Sequence, residues 1–137
     1  HGPGQLVGDP ILDLHHHRLS VTWYIRMLEE MLIQTLGQFG IEARRQEGLT
    51  GVWAGEEKIA ALGVRLSRWV SMHGFALNVN TNLDFFDGII PCGIFEYDVT
   101  SMKKLLGAEQ SLNGVERVVE NQFRAIFGFE RKEQAVR

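Results

Sequence analysis

Between Lys58 and Asn80 the apolar residues fall on alternate positions. Leu62, Val64 and Leu66 point one way and Arg65 and Ser67 the other; Phe75, Leu77 and Val79 then alternate with Gly74, Ala76 and Asn78. A period of two puts successive side chains on opposite faces of a strand. The stretch therefore predicts two one-sided strands, Lys58–Trp69 and Val70–Asn80. An apolar sheet face has to be covered, and the chain must supply the cover.

Helical patterns at both ends provide it. Val21, Tyr24, Ile25, Leu28, Met31, Leu32, Leu36 and Phe39 recur at steps of three and four, with Glu29, Glu30 and Gln34 assigned to the opposite side. Ser20 is placed to cap this helix, and Gly37 and Gly40 mark its end. Val115, Val118, Val119, Gln122, Phe123, Ile126 and Phe127 trace a second stripe, with Asn113 and Glu116 spaced as a capping box and Gly128 as the stop. A short helix, Met102 to Leu106, follows a cap at Thr100 or Ser101. Further strands are expected at Gln5–Leu14, Ile41–Arg45 and Val52–Ala54, the last joined to Lys58 through a hairpin at Gly55-Glu56-Glu57. The expected fold class is α/β (α+β), a mixed sheet flanked by helices. With no repeat or linker, it is read as a single domain over residues 1–137.

Composition removes several function classes. The net charge of -3 leaves no basic footprint for nucleic acid and no polybasic membrane anchor. No apolar run approaches the roughly 18 residues that span a bilayer. The apolar share of 45% suits a soluble globular domain. The chain opens on His1 with no preceding element, which suggests a fragment or a processed chain whose domain extends upstream.

Cys92 is the only cysteine, so it forms no internal disulfide. It is either a small buried hydrophobe or a reactive thiol. Pro91 stiffens the backbone before it and Gly93 lets it turn. If the alternation extends back, Lys58 shares the apolar side with Ala60. Either its ammonium is partly desolvated there, favouring the neutral amine, or its stem packs while the ammonium reaches water. A lysine near a cysteine activates it as a cation that stabilises the thiolate or as a base that takes the proton. His1 and His73 are chemically able to act as that base. His73 also reads as a hydrogen-bonded structural residue, and His15-His16-His17 as a solvated connection rather than a metal site.

Four motifs occur in series: His1-Gly2-Pro3-Gly4-Gln5-Leu6-Val7, Lys58-Ile59-Ala60-Ala61-Leu62-Gly63-Val64, His73-Gly74-Phe75-Ala76-Leu77-Asn78 and Pro91-Cys92-Gly93-Ile94. Together they resemble the octanoyltransferases of lipoate biosynthesis, the lipoyl(octanoyl) transferase or lipoate-protein ligase B family. The resemblance runs from His1 to about Phe129. It implies the fold of the biotin and lipoate protein ligases.

It also implies an acyltransferase that needs no cofactor and no metal. Such an enzyme moves an octanoyl group from octanoyl-acyl carrier protein to a lysine on lipoyl domains of 2-oxoacid dehydrogenases and of the glycine cleavage H protein, in the cytoplasm. By motif, Cys92 forms the acyl thioester and Lys58 activates it. Substrate contacts fall on His1, on Ala61, Leu62 and Gly63, and on Gly74, Phe75 and Ala76. Upstream of His1 the family carries a run beginning Arg-Gly-Gly that this chain lacks. Two rivals stay open: an ATP-dependent lipoate or biotin ligase on the same fold, and an inactive module that only docks lipoyl domains.

Overall fold

The computed structural model describes residues 2–84 and 98–128. Its strands are β1 (Gln5–Gly8), β2 (Val52–Ala54), β3 (Glu57–Ser67), β4 (Val70–Asn78) and β5 (Asp98–Val99). Its helices are α1 (Val21–Gln38), α2 (Met102–Leu106) and α3 (Leu112–Phe127). The described strands form one sheet in the order β1-β4-β3-β2, all antiparallel. β5 lies off this path and runs parallel to the start of β3, which makes the sheet mixed as expected.

The alternating stretch folds on itself as a hairpin, Ala60 opposite Leu77 and Ser67 opposite Val70. Its two-residue turn is Arg68-Trp69, at φ of 51° and 67°. The turn carries no glycine or asparagine, so turn chemistry did not reveal it. Leu6, Ala60, Leu62, Phe75 and Leu77 form the apolar side of the sheet. Tyr24, Leu28 and Leu32 of α1 and Val115, Val119 and Phe123 of α3 join them in one core. Burying a side chain such as Phe123 contributes about 1.5–3 kcal/mol, and truncating Leu28 to Ala costs about 2–5 kcal/mol.

The caps explain where the helices begin. Ser20 accepts from the Trp23 N–H (3.1 Å) and Ser101 from that of Lys104 (3.1 Å). α3 is capped by Ser111, which accepts from Gly114 N–H (3.0 Å), and not by the expected box at Asn113 and Glu116. Two expected strands are shorter or absent. β1 stops at Gly8, before Pro10; Leu14–His16 is a 3-10 turn, and Ile11 is 56% exposed while Leu12 and Leu14 are buried. Ile41–Arg45 contributes only a single bridge, Arg44 to Trp53.

Glu29 is the largest departure. Placed on the polar side of α1 by pattern, its side chain is wholly buried. The three histidines also differ from one another. His15 Nδ1 and Asp13 Oδ1 lie 2.7 Å apart at the surface, and the His15 N–H bond to that carboxyl, with the ring contact, holds Asp13 below the usual carboxylate range. His17 instead packs with Trp23 (6.1 Å) and Phe127 (5.8 Å), joining α1 to α3.

Candidate active site

β3 and β4 bring two of the four motifs together. Their register sets Ala61 opposite Ala76 and Gly63 opposite Gly74. Residues in register share a face, so two alanines and two glycines lie side by side. They leave a cavity of about 330 Å³, lined by Ala61, Leu62, Gly63, Gly74, Phe75 and Ala76 together with Val7, Asp9 and His73. All six mid-chain residues expected to bind substrate thus line one cavity. Sequence reasoning missed Val7, which β1 delivers by pairing with β4, and Asp9, which follows the end of that strand. His73 stands at the cavity wall with φ of 64°, a backbone region that non-glycine residues seldom adopt.

Lys58 opens β3. Alternation puts it on the same side of the strand as Ala60 and Leu62, as its position in the pattern implied. Its side chain is half-buried. The ammonium lies 5.4 Å from the centre of the Trp53 ring, whose face attracts a cation. The stem runs beside Gly51: a Cβ on Gly51 would come within 2.6 Å of Lys58 Cε and 3.2 Å of the Trp53 ring. Gly51 has φ of +146°, which suits glycine. This packed stem fits the second of the two readings of Lys58, in which the alkyl chain is covered and the charge sits at the strand's mouth.

β5 returns the chain to that mouth. Asp98 pairs with Glu57 and Val99 with Lys58, and Thr100 N–H donates to the Lys58 carbonyl at 2.9 Å. Asp98 follows Cys92 by six positions in the sequence. Cys92 itself, and His1, lie outside the described residues, as do the start of the motif at Pro91 and the tail from Glu130.

Behind Lys58 stands an ionic cluster that the sequence reading did not anticipate. Glu29 accepts from Arg26 Nη1 (2.8 Å), Arg45 Nε (3.2 Å) and the Gly51 N–H (3.0 Å). Arg45 also reaches Glu30 (3.1 Å). Hydrogen bonds from Gln34 and then Arg45 hold the Glu30 carboxyl below the usual carboxylate range. A signal was present: Ile25, Glu29, Leu32 and Leu36 keep helical spacing, so Glu29 falls on the apolar stripe itself.

The lipoyl protein ligase A/B catalytic domain model matches residues 1–124. The chain belongs to that family. Within it, the chain is 56% identical over 130 residues to the octanoyltransferase of Solibacter usitatus, covering 95% of the chain and 58% of the relative. It is 52% identical over 128 residues to the octanoyltransferase of Gloeobacter violaceus, covering 93% and 57%. The chain therefore spans less than two thirds of the length of these relatives.

Among solved structures, the lipoyl protein ligase A/B fold of this chain resembles a bi-partite lipoate protein ligase from Thermoplasma acidophilum. The TM-score is 0.76 at 20% identity, over 98% of the chain and 55% of that protein. The biotin protein ligase of Aquifex aeolicus gives a TM-score of 0.72 at 17% identity, over 91% and 53%. The ligase-like fold expected from the motifs is the one found. No helix among the described residues is long and apolar enough to cross a membrane.

Proposed function

We propose that the protein is the octanoyltransferase of protein lipoylation, with residues 1–137 belonging to a single catalytic domain that works in the cytoplasm. The observation that carries this reading is the shared cavity. Ala61-Leu62-Gly63 and Gly74-Phe75-Ala76 come from two strands and line one small-residue trough, and the first of them begins three residues after Lys58 on β3. A trough of glycine and alanine against a sheet suits an unbranched acyl chain. Burying each methylene contributes about 0.8 kcal/mol, so the chain's length can be recognised.

The chemistry runs in two transfers. The Cys92 thiolate attacks the carbonyl of octanoyl-acyl carrier protein. A new carbon–sulfur bond forms, the bond to the carrier breaks, and the carrier leaves as a thiol, taking its proton from the Lys58 ammonium and leaving a neutral amine. One thioester replaces another, so no nucleotide is consumed. The amine of a lipoyl-domain lysine, on a 2-oxoacid dehydrogenase or the glycine cleavage H protein, then attacks the acyl-Cys92. The amide forms, Cys92 leaves as thiolate, and the proton lost by the amine passes to Lys58. Backbone N–H groups near the acyl carbonyl stabilise each oxyanion, a contribution of about 3–4 kcal/mol for a single donor in other enzymes. By its motif, His1 is a further substrate contact.

Mass spectrometry of the full-length protein after incubation with octanoyl-acyl carrier protein tests this. An octanoyl adduct is expected on Cys92, absent from Cys92→Ser and formed far more slowly by Lys58→Ala at neutral pH. Normal adduct formation in Lys58→Ala removes the lysine from the mechanism. Transfer that requires ATP makes the protein a ligase, and docking of a lipoyl domain with no adduct makes it a binding module.

A further inference from the structure

Glu29 is a wholly buried carboxylate to which the proposed reaction assigns no role. Such a group persists in a core only when it is paired and hydrogen-bonded. Two of its partners, Arg26 and Arg45, meet the charge. Its third is the backbone N–H of Gly51, which Oε2 accepts at 3.0 Å. Gly51 is in turn the residue against which the Lys58 stem lies, with no space left for a Cβ between them. A second wall is the Trp53 ring, which also lies against Gly51 and is 5.4 Å from the ammonium. A lysine side chain has a flexible four-carbon stem and no rigid plane of its own, so the walls packed against that stem restrict where its amine can sit.

We propose that Glu29 and Gly51 are positioning residues for Lys58. Glu29 anchors Gly51 from helix α1, and Gly51, pressed against the stem, holds the amine where a proton is to be handled. This rests on the reading of Lys58 as the proton-handling group in acyl transfer. It extends that reading to two residues outside the four motifs.

NMR of the full-length protein carrying [ε-13C]lysine tests it, with the Lys58 signal assigned by its loss in Lys58→Met. In the wild type, the Trp53 ring should shift the Lys58 ε protons away from the signals of exposed lysines. In Glu29→Gln and in Gly51→Ala that signal should move toward them while the β4 backbone amides stay in place. Single-turnover acylation of Cys92 should slow by about a hundredfold, the scale of loss when a reacting group is misplaced by about an ångström, with KM for the carrier unchanged.

A Lys58 signal that stays put in a folded variant overturns the proposal, as does slower acylation without a moved signal. If neither variant folds, the wild-type spectrum decides, because a Lys58 signal among the exposed lysines also overturns it. The NMR result needs no turnover. A signal that responds in a protein without acyl transfer keeps the positioning and discards the transferase.

Discussion

Gly63 and Gly74 face each other across the β3–β4 ladder, yet only Gly63 has room for a side chain. A Cβ on Gly63 meets nothing within 4 Å, whereas one on Gly74 would strike the Gly8 carbonyl oxygen and come within 2.7 Å of Pro10 Cδ. The β1 edge closes over one partner and leaves the other open. Gly74→Ala should therefore lower stability by about 1–3 kcal/mol, the usual cost of overpacking. Gly63→Ala should stay within about 0.5 kcal/mol of wild type. Urea midpoints of the two variants measure the contrast, and equal midpoints would contradict the geometry.

The open position bears on specificity. Leu at residue 63 projects into the cavity without disturbing the ladder. Each methylene of acyl chain that it excludes forfeits about 0.8 kcal/mol, or about fourfold in kcat/KM. Gly63→Leu should shift preference from octanoyl toward hexanoyl and butyryl carrier protein, read by competition among the three. Unchanged selectivity would mean that the acyl chain lies elsewhere.

Alkaline stability should report on Tyr24. Burial pushes its phenol up to about 12, opposed in part by the hydrogen bond with Ser71, whose Oγ lies 3.2 Å away. The folded value exceeds the unfolded one, so the stabilisation is complete below about pH 10 and is lost as pH rises toward about 12. A rise of that size corresponds to about 2–3 kcal/mol. The wild type should lose that much more stability than Tyr24→Phe across this range, followed by urea denaturation at a series of pH values. Parallel pH curves for the two proteins would refute the buried-phenol account.

The β3–β4 turn holds a removable strain. Arg68 is exposed and sits at φ of 51°, a conformation that costs most L-residues about 1 kcal/mol. Arg68→Asn should raise the urea midpoint by an amount equivalent to about 0.5–1 kcal/mol, since asparagine tolerates this region. A drop in the midpoint would show that the arginine side chain contributes more than its backbone costs.

Local periodicity carries far in this chain. Alternation around Leu62–Leu66 and Phe75–Val79, and the helical stripes of Tyr24–Leu36 and Val115–Phe127, specify strands and helices because each element needs one apolar side. Two of the motif glycines, Gly4 and Gly74, stand where backbones approach too closely for a side chain, and such places tolerate few substitutes. Patterning was less informative at ends and turns. Ser111 displaced Asn113 as the cap of α3, and Arg68-Trp69 turned the chain with no turn residue, because the pairing on both sides outweighs a local preference of about 1 kcal/mol.

What the sequence determined by itself is which faces are apolar and which residues carry reactive groups. Both are properties of spacing and residue type. Tertiary structure alone decided that β1 closes over Gly74 while Gly63 stays open, and that a glutamate on the stripe of α1 reaches Gly51 behind Lys58. Those relations join residues distant in the chain. Their energies depend on separations of a few ångströms, which no local pattern encodes.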